Sequence, residues 1–209
     1  KIAIKGKFPQ INMFGLFEQF RLKITSIDQW GAIEWKSFKQ AFMGCFNLEY
    51  NAKDIPNLTQ VSDLSYMFAE ATIFNGDLSN WETGNVTTIA AMFRNATLFN
   101  GNIGGWDVQN VEIMSEVFSG AGKFDQNLGE WKIKSLLEGG SMFNFLNNSG
   151  LSPENYANTI IGWANQENVP SNITFGMDGM GHCDEEAYNA QVYLESEKGW
   201  TFVGEDNGC

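Results

Sequence analysis

One histidine and three cysteines set the limits of covalent and metal chemistry in this 209-residue chain. His182 stands beside Cys183, and a Cys/His couple works as nucleophile and base when the imidazole reaches the thiol and a third group orients it. Adjacent residues rarely point at one another, and no second base or orienting Asn has a defined relation to the pair, so a structural or solvent-facing role is expected. Cys45, Cys183 and Cys209 are odd in number and lack CxxC spacing, which points away from a disulfide framework. A lone His with scattered Cys cannot complete a tetrahedral zinc site without distant ligands. The run "DGMGHCDEE" brings together Asp178, Asp184, Glu185 and Glu186 but lacks the alternating spacing of a calcium loop. Glycoside hydrolysis asks for one well-supported carboxylate pair, whereas the acids vary along the chain. The expectation is no enzyme, no catalytic residue, no metal and no cofactor.

The balance of charge narrows the partners. A formal charge of −12 without any Lys/Arg cluster has the wrong sign for a phosphate backbone, so nucleic acid is excluded as a partner. The acids concentrate late: residues 151–209 hold ten against the single Lys198, which reads as a solvated acidic surface, with weak calcium association as the sharper alternative. No apolar run approaches the ~20 residues of a membrane span, so no transmembrane segment is expected here. The start at Lys1 shows no signal-peptide pattern, and the sequence reads as a piece of something longer.

The elements that would position any site come from internal repetition. Trp81, Trp106 and Trp131 are spaced by 25, as are Phe74, Phe99 and Phe124. The same interval relates Met67, Met92, Val117 and Met142, each followed by a Phe, at 68, 93, 118 and 143. Upstream the interval grows to 26, with Ala41, Phe42, Cys45 and Leu48 preceding Met67, Phe68, Ala71 and Phe74. Cys45 is thereby placed as a small buried hydrophobe. Apolar steps of three, three, one and three from Val86 to Ala96 predict a short helical face. The period of two from Trp106 to Val108 predicts a very short strand. Asn75, Gly76, Asn100, Gly101, Gly104 and Gly105 are expected to supply tight or left-handed turns, and Asn85 and Asn110, in competition with Thr87 and Thr88, to cap the helical part.

Units this small cannot stand alone, and stacking neighbours would bury one another's faces. The expected architecture is α/β: a leucine-rich-repeat-like parallel solenoid of short strands and short helical segments, capped at both ends. Its divisions are an N-terminal cap over 1–23, about five repeat units over 24–148, and a C-terminal helix/strand cap over 149–209. The first cap includes an entry strand in "KIAIKGKF". In the last, Ser152 as N-cap, Pro153 and Glu154 open a helix with a Tyr156, Ile160 and Trp163 stripe. Ile173 and Phe175 predict a strand to which "WTFV" can pair, and an acidic start at 184–186 opens a second helix with Ala187, Val192 and Leu194 as its stripe and Gly199 as its stop.

Within the repeats the core is assigned to Trp81, Trp106, Trp131, Met67, Phe68, Met92, Phe93, Val117, Phe118, Met142, Phe143, Phe74, Phe99 and Phe124. The position after each tryptophan changes chemistry, from Glu82 to Asp107 to Lys132, and so does the position two farther on, Gly84, Gln109 and Lys134. A row of changeable polar residues over a fixed scaffold is how a repeat array presents a binding surface. A solvent-facing tryptophan ladder would instead be a carbohydrate platform or a protein hot-spot row.

"VTTIAAMFRNATLFNGNIGGWDV" and "VEIMSEVFSGAGKFDQNLGEW" resemble the bacterial surface-protein repeat grouped with the BspA-like leucine-rich-repeat proteins. "AFMGCFNL" is similar to its AF-x-x-C-x-x-L form, and "LSPENYANTIIGWA" with the later "HC" and "GWTFVG" resembles the segment that closes such arrays. The resemblance implies secretion or display on a bacterial surface, and adhesion to a host, matrix or neighbouring-cell protein, possibly a glycan. It carries over no catalytic residue and names no ligand. A glycan-binding ectodomain and a structural spacer are the alternatives.

Overall fold

The computed structural model describes residues 10–181 and 184–204. The entry strand expected in "KIAIKGKF", the His182 and Cys183 pair, and Cys209 all lie outside the described residues. Among the described residues the elements are α1 (Glu18–Arg21), β1 (Ser26–Ile27), β2 (Glu49–Tyr50), β3 (Gly139–Met142), α2 (Pro153–Ala164), β4 (Ile173–Gly176), α3 (Glu185–Lys198) and β5 (Thr201–Val203). They form two separate parallel sheets, β1-β2 and β3-β4-β5.

This overturns the leucine-rich-repeat solenoid. Between Tyr50 and Gly139 there is neither a helix nor a strand, only the isolated bridges Asp63 to Thr88 and Thr88 to Ile113 with one from Glu34 to Asn57. Among the described residues no continuous sheet runs through the repeats to be curved into a horseshoe. The expected helical segment over 86–96 fails because Ala91 and Asn95 are left-handed, with φ of 53° and 57°. Two such residues cannot sit inside a right-handed helix. Met92 N–H donates to Ile89 O and Ala96 N–H to Phe93 O, closing two tight turns; a positive φ at the third residue of such a turn is the type II signature. Successive turns bury a corner about every three residues, and so imitate the period of a helix. The expected strand at 106–108 is absent too, since Trp106 N–H closes a turn onto Ile103 O.

Every second amide in this segment leaves it altogether. Ile89, Ala91, Phe93 and Asn95 donate to the carbonyls of Ile113, Ser115, Val117 and Ser119. Leu64, Tyr66, Phe68 and Glu70 donate likewise to Thr88, Ala90, Met92 and Arg94. Backbone groups that a helix would satisfy internally are thus satisfied by the next stretch of chain. The left-handed residues recur in pairs, at Gln40 and Gly44, Tyr66 and Glu70, Ala91 and Asn95, Glu116 and Gly120, and Asn144 and Asn148. None of the six residues from which turning was expected is among them: Gly104 and Gly105 do form the tight turn that Trp106 N–H closes onto Ile103 O, whereas Asn75, Gly76, Asn100 and Gly101 lie outside any turn, and for those four the expectation is corrected. Gly101 serves close approach instead: a Cβ there would lie 2.6 Å from Gly76 O. Gly120 is left-handed and also has no room for a side chain, its missing Cβ facing Asn95 Oδ1. Gly120→Ala is expected to lower stability by about 1–2 kcal/mol from backbone strain alone, read as a lower urea midpoint with an unchanged slope.

Rings separated by the repeat interval touch. Phe68, Phe93 and Phe118 stack at centroid distances of 5.9 Å, Phe74, Phe99 and Phe124 at 6.0 and 6.1 Å, and Trp81, Trp106 and Trp131 at 6.3 and 6.4 Å. All nine are buried in one continuous core, with Met67, Met92 and Val117. Cys45 is buried among them, and desolvation outweighs the nearby Arg21 to push its thiol up to about 12, so it stays protonated.

The last interval differs from the 25 expected. Leu137 N–H still bonds Glu112 O, but Met114, Glu116 and Phe118 bond Ser141, Phe143 and Phe145, three residues later than the pattern before it. The additional residues fall where β3 begins. Met142 therefore takes the place above Met114 and is buried, while Phe145 and Leu146 fill the positions assigned to Met142 and Phe143. Phe143 is 46% exposed, so its assignment to the core is corrected.

The closing segment is built as its caps dictate. Ser152 Oγ accepts from Asn155 N–H at the start of α2, and Tyr156, Ile160 and Trp163 are buried. Asp184 caps α3 and Gly199 ends it in the left-handed conformation, though Val192 is exposed rather than part of its stripe. β5 pairs with β4 in parallel, Phe202 opposite Phe175.

Candidate functional site

The polar row is positioned by buried neighbours on either side. Trp81, Trp106 and Trp131 are buried, as are Thr83, Val108 and Ile133 two residues on, so the side chains between them, Glu82, Asp107 and Lys132, are forced outward and are exposed. Thr83 fits the apolar column because its hydroxyl donates to Asp107 O at 2.9 Å. The second row is knitted to the first: Lys134 Nζ donates to Gln109 Oε1 at 3.3 Å, and Gln109 Nε2 to Asp107 Oδ2 at 3.0 Å. Gly84 leaves space that Asp107 fills, a Cβ there lying 3.1 Å from Asp107 Oδ2. Asn110 does not cap a helix; its Nδ2 donates to Gly84 O, and Asn85 Nδ2 donates to Thr59 O. The result is an acidic-to-basic strip, Glu82 and Asp107 at one end and Lys132 and Lys134 at the other, on a backbone held by its neighbours. Such a strip offers charge and hydrogen bonds for recognition and contains no nucleophile with its base.

Three features escaped the sequence reading. Asn75 Oδ1 accepts from Asn100 N–H, Asn100 Oδ1 from Asp125 N–H, and Asp125 Oδ1 from Ser152 N–H and Oγ–H, forming one ladder that ends on the N-cap of α2. The shared spacing of Asn75, Asn100 and Asp125 was its only signal. Burial pulls the Asp125 carboxyl up, but the hydrogen bonds from Ser152 and Asn155 together outweigh it and hold the group below the usual carboxylate range. A carboxyl depressed on folding stabilises fully above its unfolded pKa of about 3.9 and loses that contribution as pH falls through the folded value. Asp125→Asn keeps an accepting oxygen and should remove this part of the acid sensitivity below about pH 4. Thermal melts at neutral and acid pH that shift equally for both proteins would contradict it.

The second is Arg94, whose guanidinium lies 3.6 Å from Glu70 and 3.1 Å from Glu116 and over the Tyr66 ring at 5.3 Å. These residues join three successive stretches of chain through one cation. A cleft of about 170 Å³ also opens beside Trp81, bounded by Tyr50, Lys53, Asp54, Asp77 and Asn80. Among the described residues no group of three or more His, Cys, Asp or Glu is placed to hold a metal, and no helix is long and apolar enough to cross a membrane.

A family model described as Mycoplasma protein of unknown function, DUF285, matches residues 11–83 and again 36–154. The two matches overlap and together take in more than half of the chain. No curated protein and no solved structure matches it significantly. The resemblance to BspA-like leucine-rich-repeat proteins is therefore corrected. The family that matches is this one, and the two small separate sheets lack the architecture the resemblance implied.

Proposed function

Because the chain belongs to the family described as Mycoplasma protein of unknown function, DUF285, which brings no activity with it, we propose that it is a non-catalytic recognition module. Its partner is a protein of a host, a matrix or a neighbouring cell, met outside the cell or on a bacterial surface. The observation that carries this reading is the exposed row Glu82, Asp107 and Lys132 alternating with buried Trp81, Thr83, Trp106, Val108, Trp131 and Ile133. Positions whose charge changes are outward, and the packed positions are apolar except for Thr83, whose hydroxyl is satisfied by Asp107 O. A binding surface built so can vary its partner while leaving the core alone. The spacer reading has no comparable support, and a tryptophan platform for polysaccharide has none, because Trp81, Trp106 and Trp131 are buried.

The test is a plate assay of the protein on immobilised matrix proteins and on whole host cells, comparing the native chain with Glu82→Ala, Asp107→Ala and Lys132→Ala combined. Binding is expected to weaken roughly tenfold, the equivalent of about 1.4 kcal/mol. The melting temperature should barely move, since surface substitutions of this kind change stability by about 0.5 kcal/mol or less. Equal binding by the two proteins would overturn the assignment of this face.

A further inference from the structure

We propose that the cleft beside Trp81 binds a single neutral sugar residue, such as the terminal hexose of a glycan. The first observation is an orphaned donor. Trp106 Nε1 donates to Leu78 O and Trp131 Nε1 to Ile103 O, both at 2.9 Å, and Trp163 Nε1 donates in the same way to Leu128 O. Ala52 holds the place of Leu78 in the preceding stretch, by the same 26-residue interval that relates Phe42 to Phe68. Trp81 Nε1 nevertheless has no partner, although Trp81 is only 4% exposed. Both Ala52 and Trp81 line the cleft, which places the indole with its unpaired N–H in the cleft's wall. A buried donor without an acceptor is costly, and a ligand oxygen that supplies one gains from it.

The second observation is why the cleft exists. Leu78, Ile103 and Leu128 fill this position higher in the chain, and alanine replaces them at 52, leaving space in front of the Tyr50 ring. At about 170 Å³ the space is below the range of ~300–1,000 Å³ typical of drug-sized ligands, and suits one ring.

Charge selects the class of ligand. Asp54 and Asp77 against Lys53 leave the rim net negative, which disfavours a phosphate or carboxylate. The two carboxylates do not amount to a cation cage: Lys53 shares the rim, and among the described residues no group of three or more His, Cys, Asp or Glu is placed to hold a metal. Asp54 is engaged by the Trp30 and Gly31 N–H groups at 3.0 and 2.7 Å and serves to hold the wall. Asp77 takes a hydrogen bond from Ser79 N–H and faces outward as an acceptor, while Asn80 can both donate and accept. A hydroxylated neutral ring matches this set: its oxygen accepts from Trp81, and its O–H groups donate to Asp77 and to the Asn80 carbonyl. The cleft opens one residue from Glu82, so a glycan seated here would lie against the start of the polar row.

The test is a titration of the full chain, labelled with nitrogen-15, with glucose, galactose, mannose and N-acetylglucosamine up to roughly 50 mM, enough to reveal millimolar affinity. At least one sugar is expected to shift the Trp81 indole N–H resonance saturably while that of Trp106 stays in place. Asp77→Asn and Asn80→Ala should each weaken the effect about tenfold, with unchanged Trp106 and Trp131 resonances showing that the fold is intact. No shift with any of the four, a shift undiminished in both variants, or a response to calcium chloride or inorganic phosphate in place of sugar would each overturn the proposal.

Discussion

Trp106→Ala is expected to lower the free energy of unfolding by about 3–5 kcal/mol, the range for emptying a buried aromatic site. Trp106 is flanked by Trp81 and Trp131 at nearly parallel ring planes, and its Nε1 holds Leu78 O. Truncation removes both stacks, opens a cavity that two flanking layers cannot both collapse into, and takes from Leu78 O one of its two donors, leaving only the Trp81 backbone N–H. Small domains have only about 5–15 kcal/mol in hand, so the variant should unfold at a much lower urea concentration. Trp106→Phe separates the terms, keeping most of the ring while losing the hydrogen bond, and should cost about 1 kcal/mol or somewhat more. A loss below about 1 kcal/mol for the alanine variant would mean that the stacks are not formed in solution.

Gly162→Ala sets two effects of opposite sign against each other. Gly162 is inside α2, where replacing glycine by alanine normally gains about 1 kcal/mol of helix propensity. Here the added Cβ would lie 2.5 Å from Gly129 Cα and 2.7 Å from Gly129 O, both of them backbone atoms that no rotamer change can move aside. Overpacking of this kind costs about 1–3 kcal/mol, and more when backbone must shift. The contact should win, so the variant is expected to be less stable by about 1–2 kcal/mol. It should also loosen the other ties of α2 to the repeats, namely Trp163 Nε1 to Leu128 O and Thr159 Oγ1 to Leu128 N–H. A stabilised variant would show that α2 does not rest on the 129 loop.

The interval of 25 residues was legible because large rings at fixed spacing have few ways to be buried except against one another, and Phe93, Phe118 and the three tryptophans follow it. The ends of α2 and α3 were legible from Ser152, Pro153, Asp184 and Gly199, since cap chemistry is local. The conformation within each unit was not. A run of type II turns and a helix both bury one residue in about three; of the left-handed residues that separate them, Gly44, Asn95, Gly120, Asn144 and Asn148 are turn-forming types, but Gln40, Tyr66, Glu70, Ala91 and Glu116 carry no turn signal, so the pairing could not be seen. The register change was hidden as well, because the Met142-Phe143 pair imitates the Met-Phe step that Phe145 and Leu146 replace. Assigning leucine-rich-repeat geometry followed from reading the steps of three as helical.

The polar row was readable in outline, as alternation between fixed and changing positions. Its links were not, for Lys134 to Gln109 and Thr83 to Asp107 O join residues about one interval apart. The cleft was unreadable for a different reason. It arises from an absence, an alanine at 52 where the later stretches carry Leu78 and Ile103, at a point where the interval itself has changed.

The central claim is that adjacent 25-residue stretches are joined backbone to backbone through tight turns, with no helix within them. Scalar couplings across hydrogen bonds, measured by NMR from amide nitrogen to carbonyl carbon, read those partners one by one. The account predicts correlations from Ala91 to Ser115, Phe93 to Val117 and Asn95 to Ser119, each 24 residues ahead in the chain. Correlations from these same amides to the carbonyls four residues behind them, as a helix would give, would contradict it.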